Sequence, residues 1–129
     1  MRTLGLDYGQ KRIGVSVSDE KGMMAFPVSV VQNNPEIERE INEIARQYEV
    51  KEIVLGDSRD FDMSKNSIYS DIEILKNKLE NLGFKVHLEL EFMTSIQATR
   101  IQGENKMLDA SAATIILQSY LDRRLSEKN

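Results

Sequence analysis

Apolar and polar residues follow two different rhythms along this chain. Thr3-Leu4-Gly5-Leu6-Asp7 is a short, mainly apolar run that stops at Tyr8-Gly9, and Ile13-Gly14-Val15-Ser16-Val17-Ser18 alternates with a period of two. The first predicts a strand and the second a half-buried strand. The turn-forming and basic residues Gly9-Gln10-Lys11-Arg12 join them, which predicts a hairpin. After a second turn at Asp19-Glu20-Lys21-Gly22, the stretch from Met23 to Val31 predicts a third strand. Pro27 within it cannot donate to a ladder on both sides, so this strand is expected at a sheet edge.

The rhythm then changes. Asn34 as N-cap and Pro35 in the first turn predict a helix start. Ile37, Ile41, Ile44, Ala45 and Tyr48 follow on one helical face. Glu52-Ile53-Val54-Leu55-Gly56 predicts a short strand of the buried, parallel kind, and Asp57 to Asn66 a polar loop. Ile68, Ile72, Leu75, Leu79 and Leu82 mark a second amphipathic helix that Gly83 ends. Phe84 to Leu90 predicts a last strand, and Thr94 to Gln102 and Asp109 to Leu125 two more helices. Helical crossovers force parallel pairing, whereas tight turns force antiparallel pairing. The expected fold is α/β: a mixed five-stranded sheet, three antiparallel hairpin strands then parallel strands, flanked by helices. This order of elements is that of ribonuclease-H-like folds. No repeat or linker interrupts it, so residues 1–129 are expected to form a single domain of ordinary size.

Composition narrows the chemistry. The chain has no cysteine, which removes disulfides, thiolate metal sites and thiol catalysis. Its one histidine, His87, excludes any site that needs two imidazoles and reads as a structural residue. No apolar run approaches the roughly 18 residues of a membrane span, and the N-terminus lacks the pattern of a signal peptide. No membrane contact is expected. The net charge of −4 argues against indiscriminate nucleic-acid binding. However, the segment Glu36–Glu52 holds six acids against three bases, so most of the excess belongs to this one stretch, which contains a predicted helix.

The sharpest local signal is Gly5-Leu6-Asp7-Tyr8-Gly9-Gln10-Lys11-Arg12-Ile13-Gly14. An acid ends an apolar strand, and a glycine turn with two cations follows. Such a carboxylate suits a hard cation, and such a turn suits a phosphate. An Asp that merely caps its own turn gives the same pattern. Asp7, Gly56 and Glu91 all fall at predicted strand ends, where ligand sites of parallel sheets gather. Gly56 would leave room between flanking carboxylates. Glu91 shares its parity with Lys85, His87 and Glu89, so a solvated strand face is the simpler reading. Asp109, before Ala110-Ser111-Ala112-Ala113, also fits a helix N-cap. No aromatic stacking platform stands out.

These residues resemble a known family. Gly5 to Asp19 is similar to the opening of the bacterial YqgF-type (RuvX-like) family of Holliday-junction-resolvase-like proteins and pre-16S rRNA nucleases. Asp109-Ala110-Ser111-Ala112-Ala113-Thr114-Ile115-Ile116-Leu117-Gln118-Ser119-Tyr120 is similar to its closing helix. The resemblance spans the whole chain. It implies a ribonuclease-H-like fold, a cytoplasmic location, Mg²⁺ or Mn²⁺ as cofactor (two ions), and precursor ribosomal RNA as substrate, with branched DNA as the alternative. Asp7, Glu91 and Asp109 match the family's three acids and would be both metal ligands and catalytic residues. Three carboxylates can share two ions roughly 3.5–4 Å apart, which activate water and stabilise the leaving oxygen. Lys11, Arg12, Arg59, Arg100 and Lys106 are expected on backbone phosphates.

The chain also departs from the family pattern. Gly56-Asp57-Ser58 stands where the family reads Gly-Leu-Pro, and Leu90 and Phe92 replace the acid and arginine that flank Glu91's counterpart. The lost arginine removes a bidentate phosphate contact. Asp57 adds an acid at a strand end, where related resolvases carry one, and is expected to join the metal site. These departures keep open a non-catalytic member that binds nucleic acid or protein. An actin-like ATPase shares the Asp-Tyr-Gly turn, but it clasps nucleotide between two domains, for which this chain is too short.

Overall fold

The computed structural model describes the backbone of residues 2–56, 65–89 and 106–128, and the side chains of 2–56, 70–89 and 112–126. The expected helix Thr94–Gln102 lies outside the described residues, as does the loop from Asp57 up to residue 64. Five strands, β1 (Arg2–Asp7), β2 (Arg12–Ser18), β3 (Ala25–Gln32), β4 (Val50–Gly56) and β5 (Lys85–Leu88), form one sheet in the order β3-β2-β1-β4-β5. Both hairpin pairs are antiparallel, and β4 pairs in parallel with β1 and β5. The strand that carries Pro27 lies at one edge, as its missing donor requires.

Helices α1 (Ile37–Gln47) and α2 (Lys65–Asn81) cover one face of the sheet. There Leu4, Leu6, Ile13, Val15, Ile53 and Leu55 meet Ile41, Ile72 and Leu79 in the main core. Helix α3 (Lys106–Lys128) covers the other face, where Val54 and Ala25 meet Ile116, Leu117 and Leu121. This second layer explains a difference from expectation. The alternating strand β2 is buried on both faces rather than half-buried. Ser16 and Ser18 face α3, and a hydroxyl can be buried there because it finds acceptors. Ser16 Oγ donates to the Ala113 carbonyl of α3 at 2.9 Å.

Close helix–sheet contact also fixes Gly5. A β-carbon there would lie 2.7 Å from Leu117 Cβ and 3.2 Å from the Ala113 carbonyl oxygen. The central strand must therefore be bare at this point for α3 to rest on it.

Element ends correct several expectations. Asn34 is not the N-cap of α1. Glu36 is, and Asn34 Oδ1 instead accepts the Glu36 N–H at 3.0 Å, a turn that leads the chain past Pro35. Lys65 and Asn66, expected in the loop, belong to α2. Gly83 ends α2 as expected, with φ of 104°. Its N–H reaches the Glu80 carbonyl and that of Phe84 the Leu79 carbonyl, the paired bonds of a Schellman motif. Strand β4 starts two residues earlier than expected, and β5 stops at Leu88. Helix α3 starts three residues before Asp109, because Lys106, Met107 and Leu108 favour the helix themselves. Asp109 therefore lies in the first turn rather than at its cap, still where an acid suits the helix dipole.

Candidate active site at the strand ends

Asp7 is the last residue of β1, the middle strand of the sheet. Its cross-strand partners are both glycines, Gly14 on β2 and Gly56 on β4. The ladder runs one residue further, where the Tyr8 N–H donates to the Gly56 carbonyl at 2.7 Å. Asp7 is only 1% exposed. A carboxylate at such depth needs hydrogen bonds or a cation to remain there. It lies on the sheet face that α3 covers, two residues beyond Gly5.

Helix α3 meets that face at Ala113 and Leu117, against Gly5 and Ser16. Asp109 precedes Ala113 by four residues, one turn earlier along the same helix face. Asp7 and Asp109 thus extend from a single helix–strand contact. The side chains of Asp109 and Lys106 lie outside the described residues, as do Asp57, Arg59, Glu91 and Arg100 entirely. Among the described residues no three acids or histidines gather into a metal-binding group. Lys11 is exposed, and Arg12 opens β2 half-buried.

Gly56 has a different role from the one expected. A β-carbon there would lie 2.6 Å from the Glu89 carbonyl oxygen and 3.3 Å from Ile116 Cγ2. The space is therefore filled by the end of β5 and by α3, rather than left between carboxylates.

Two further residues escaped the sequence reading. Glu89 was expected on a solvated face, yet it is 1% exposed. Its N–H donates to the Leu55 carbonyl at 2.9 Å, which continues the sheet past β5. Its carboxylate accepts hydrogen bonds from Arg123 and, at 3.2 Å, from Ser119, both on α3. The polar parity of β5 is the face beneath α3: Glu89 pairs there with the helix and not with water, His87 packs on Tyr120, and Lys85 at the start of the strand stays exposed. Only the spacing of Ser119 and Arg123, one turn apart, hinted at such a partner.

Asn33 is the second. Its Nδ2 donates to the Gly9 carbonyl at 2.7 Å, and its backbone N–H donates to the Lys11 carbonyl at 2.9 Å. From the end of β3 it thus clamps the basic turn that follows Asp7. Asn33→Ala removes the side-chain bond and should lower stability by about 1 kcal/mol. Chemical denaturation measures that loss, and an unchanged midpoint would show that the turn holds its shape without the clamp.

The architecture is that of the Holliday junction resolvases of the ribonuclease-H-like class. RuvC of T. thermophilus, solved in complex with a Holliday junction substrate, matches with a TM-score of 0.59 at 15% identity, over 97% of this chain and 96% of RuvC. The fowlpox virus Holliday junction resolvase matches with a TM-score of 0.53 at 16% identity, over 95% of this chain and 99% of its own. At the level of sequence, the RuvX family, described as Holliday junction resolvase, matches residues 1–123. A protein of Caldanaerobacter subterraneus subsp. tengcongensis named "Putative pre-16S rRNA nuclease" is 36% identical over 100% of this chain and 99% of its own. One of the same name from Lactobacillus helveticus is 34% identical over 95% of this chain and 96% of its own. The chain belongs to the RuvX family.

Proposed function

We propose that this protein is a divalent-metal-dependent endonuclease that hydrolyses phosphodiester bonds of structured RNA. Its substrate in this reading is precursor 16S ribosomal RNA, whose 5′ end it matures in the cytoplasm, as a single-domain enzyme. The observation that carries the reading is Asp7: a buried carboxylate at the end of the central strand, flanked by glycines and beside the helix that bears Asp109. Relatives that share about a third of its residues and nearly its whole length are named as pre-16S rRNA nucleases. No helix among the described residues is long and apolar enough to cross a membrane.

The donor set fits a hard cation. Asp7 offers carboxylate oxygens inside the protein, and no thiol or paired imidazole competes for a softer metal. Asp7, Glu91 and Asp109 would hold Mg²⁺ or Mn²⁺, with Asp57 as a fourth donor. When bound, two such ions make water nucleophilic and stabilise the leaving oxygen. The protein's own task is placement. The Gly9–Arg12 turn, closed by Asn33, presents Lys11 and Arg12 next to the acid, within reach of the phosphates that flank a scissile bond. Arg59, Arg100 and Lys106 would add phosphate contacts.

Incubation with precursor 16S rRNA and, separately, with a synthetic four-way DNA junction, each with Mn²⁺, tests the reading. Cleavage of the RNA at a defined position is expected. Cleavage of the junction alone would favour the DNA resolvase that the family's description names. Cleavage of neither would leave a member that binds without cutting.

A further inference from the structure

A second cluster of charge lies away from the strand ends, at the β5 edge. An open cleft of about 340 Å³ separates the second half of α3 from β4 and β5, and Glu52, Lys85, His87, Tyr120, Arg123 and Arg124 line it. Three of these six carry positive charge and one negative; with Glu89 behind Arg123 two carboxylates face three cations, and Lys85 is the cation left over. Arg124 Nη1 lies 3.1 Å from Glu52 Oε1, and Arg123 is paired with Glu89, so both guanidinium groups are held in place at the rim. Lys85 is exposed and forms no ion pair among the described residues. The inner wall is aromatic. The rings of His87 and Tyr120 lie 5.0 Å apart at a 34° tilt. They come from positions 33 residues apart in the sequence, which is why no stacking platform was visible there. Burial holds the His87 imidazole below its ordinary pKa, which favours the uncharged ring.

Cations on a rim around an aromatic wall suit one ligand class in particular. The cations follow a phosphate backbone, and the rings take the faces of unstacked bases without reading their sequence. Duplex RNA would not expose those faces. The cleft is separate from the strand-end site: Glu52 pairs with Thr3 in register, four residues before Asp7 on the neighbouring strand. That is roughly 13 Å along the strand direction at about 3.3 Å per residue.

We propose that this cleft is a second nucleic-acid contact, which holds a single-stranded RNA arm of the substrate while the strand-end site acts on the phosphodiester. The proposal rests on the nuclease reading for the identity of its ligand. It gives the enzyme a longer footprint than the catalytic residues alone and a preference for substrates with an unpaired extension.

The test uses the full chain in EDTA, so that binding is read without cleavage. The probe is a fluorescein-labelled fragment of precursor 16S rRNA, with and without its single-stranded arm. Lys85→Glu replaces an exposed residue outside the core, but it lies opposite Glu52 in the sheet register, so equal thermal unfolding of variant and wild type is established before binding is read. It should weaken binding of the armed fragment by roughly five- to tenfold and make its salt dependence shallower by about 0.7 in log–log slope or more. Binding of the armless fragment should be unchanged. Wild-type protein that binds both fragments alike, or a Lys85→Glu variant with wild-type affinity and slope on the armed one, would overturn the second contact and leave the nuclease reading intact. Failure of the wild type to bind either RNA in EDTA and to cut either with Mn²⁺ would instead remove the nuclease reading and the contact with it.

Discussion

Asp7→Asn should abolish cleavage of precursor rRNA while the protein stays folded. The change keeps the size of the side chain, and Asp7 ends β1 rather than lying within its apolar core. What it removes is one negative charge at a position 1% exposed. Loss even of the outer partners of metal ligands typically costs about 10–100-fold in metal affinity or activity. Loss of a ligand itself should therefore cost at least about 100-fold in turnover. A second readout does not depend on substrate. At a Mn²⁺ concentration about 100 times its dissociation constant, a genuine site stabilises the wild-type fold by about 2.7 kcal/mol. For a protein of this size that raises Tm by roughly 10 °C. Asp7→Asn should lose that rise and unfold as cooperatively as the wild type in EDTA. Equal cleavage by both proteins would mean that the activity belongs to another site or to a contaminant. A lost activity with the full Mn²⁺ shift intact would move Asp7 from the metal to the substrate.

How legible this was in the sequence depends on whether a signal was local. The three hairpin strands, the edge position of Pro27, the parallel β4 and the glycine end of α2 were all legible. Each follows from a period, a turn residue or a missing donor within a few positions. Asp7 was legible for the same reason, as an acid where an apolar strand meets a glycine turn. Long-range relations were not. The polar parity of β2 and β5 reads as solvent-facing until α3 covers it, and α3 begins 18 residues after β5 ends. Ser16 and Glu89 therefore changed from surface to interior, and His87 to the wall of a cleft, only once the helix was in place. Gly56 was singled out correctly but for the wrong reason, since the carbonyl that needs its bareness belongs to Glu89 on another strand's end. Asn33 acts across 24 residues on Gly9, and no period connects the two.

The second large effect is expected at the buried pair that ties β5 to α3. In Arg123→Ala the Glu89 carboxylate, 1% exposed, keeps only the Ser119 hydroxyl as a side-chain partner among the described residues. Removal of one member of a buried pair usually costs 3–5 kcal/mol, because the remaining charge is left inside without compensation. Arg123 itself is 53% exposed, so water can enter where it leaves, and a loss of about 3 kcal/mol is the better expectation. That is a large part of the 5–15 kcal/mol that typically holds a domain of this kind together. Urea denaturation measures it directly. The double variant Glu89→Leu with Arg123→Met separates charge from contact, since an apolar pair of similar volume avoids the desolvation cost of both ions. It should recover most of the lost stability. Glu91 follows Glu89 by two residues, so the same double variant, once folded, also reports on the site. Restored stability with wild-type turnover would make the pair a structural fastening and no more. Restored stability with reduced turnover on a substrate without a single-stranded arm, which does not use the cleft that Arg123 lines, would mean that the charged pair sets where the chain leaves β5. A single Arg123→Ala cost below about 1 kcal/mol would place the pair with ordinary surface ion pairs, and the depth of Glu89 would then need another explanation.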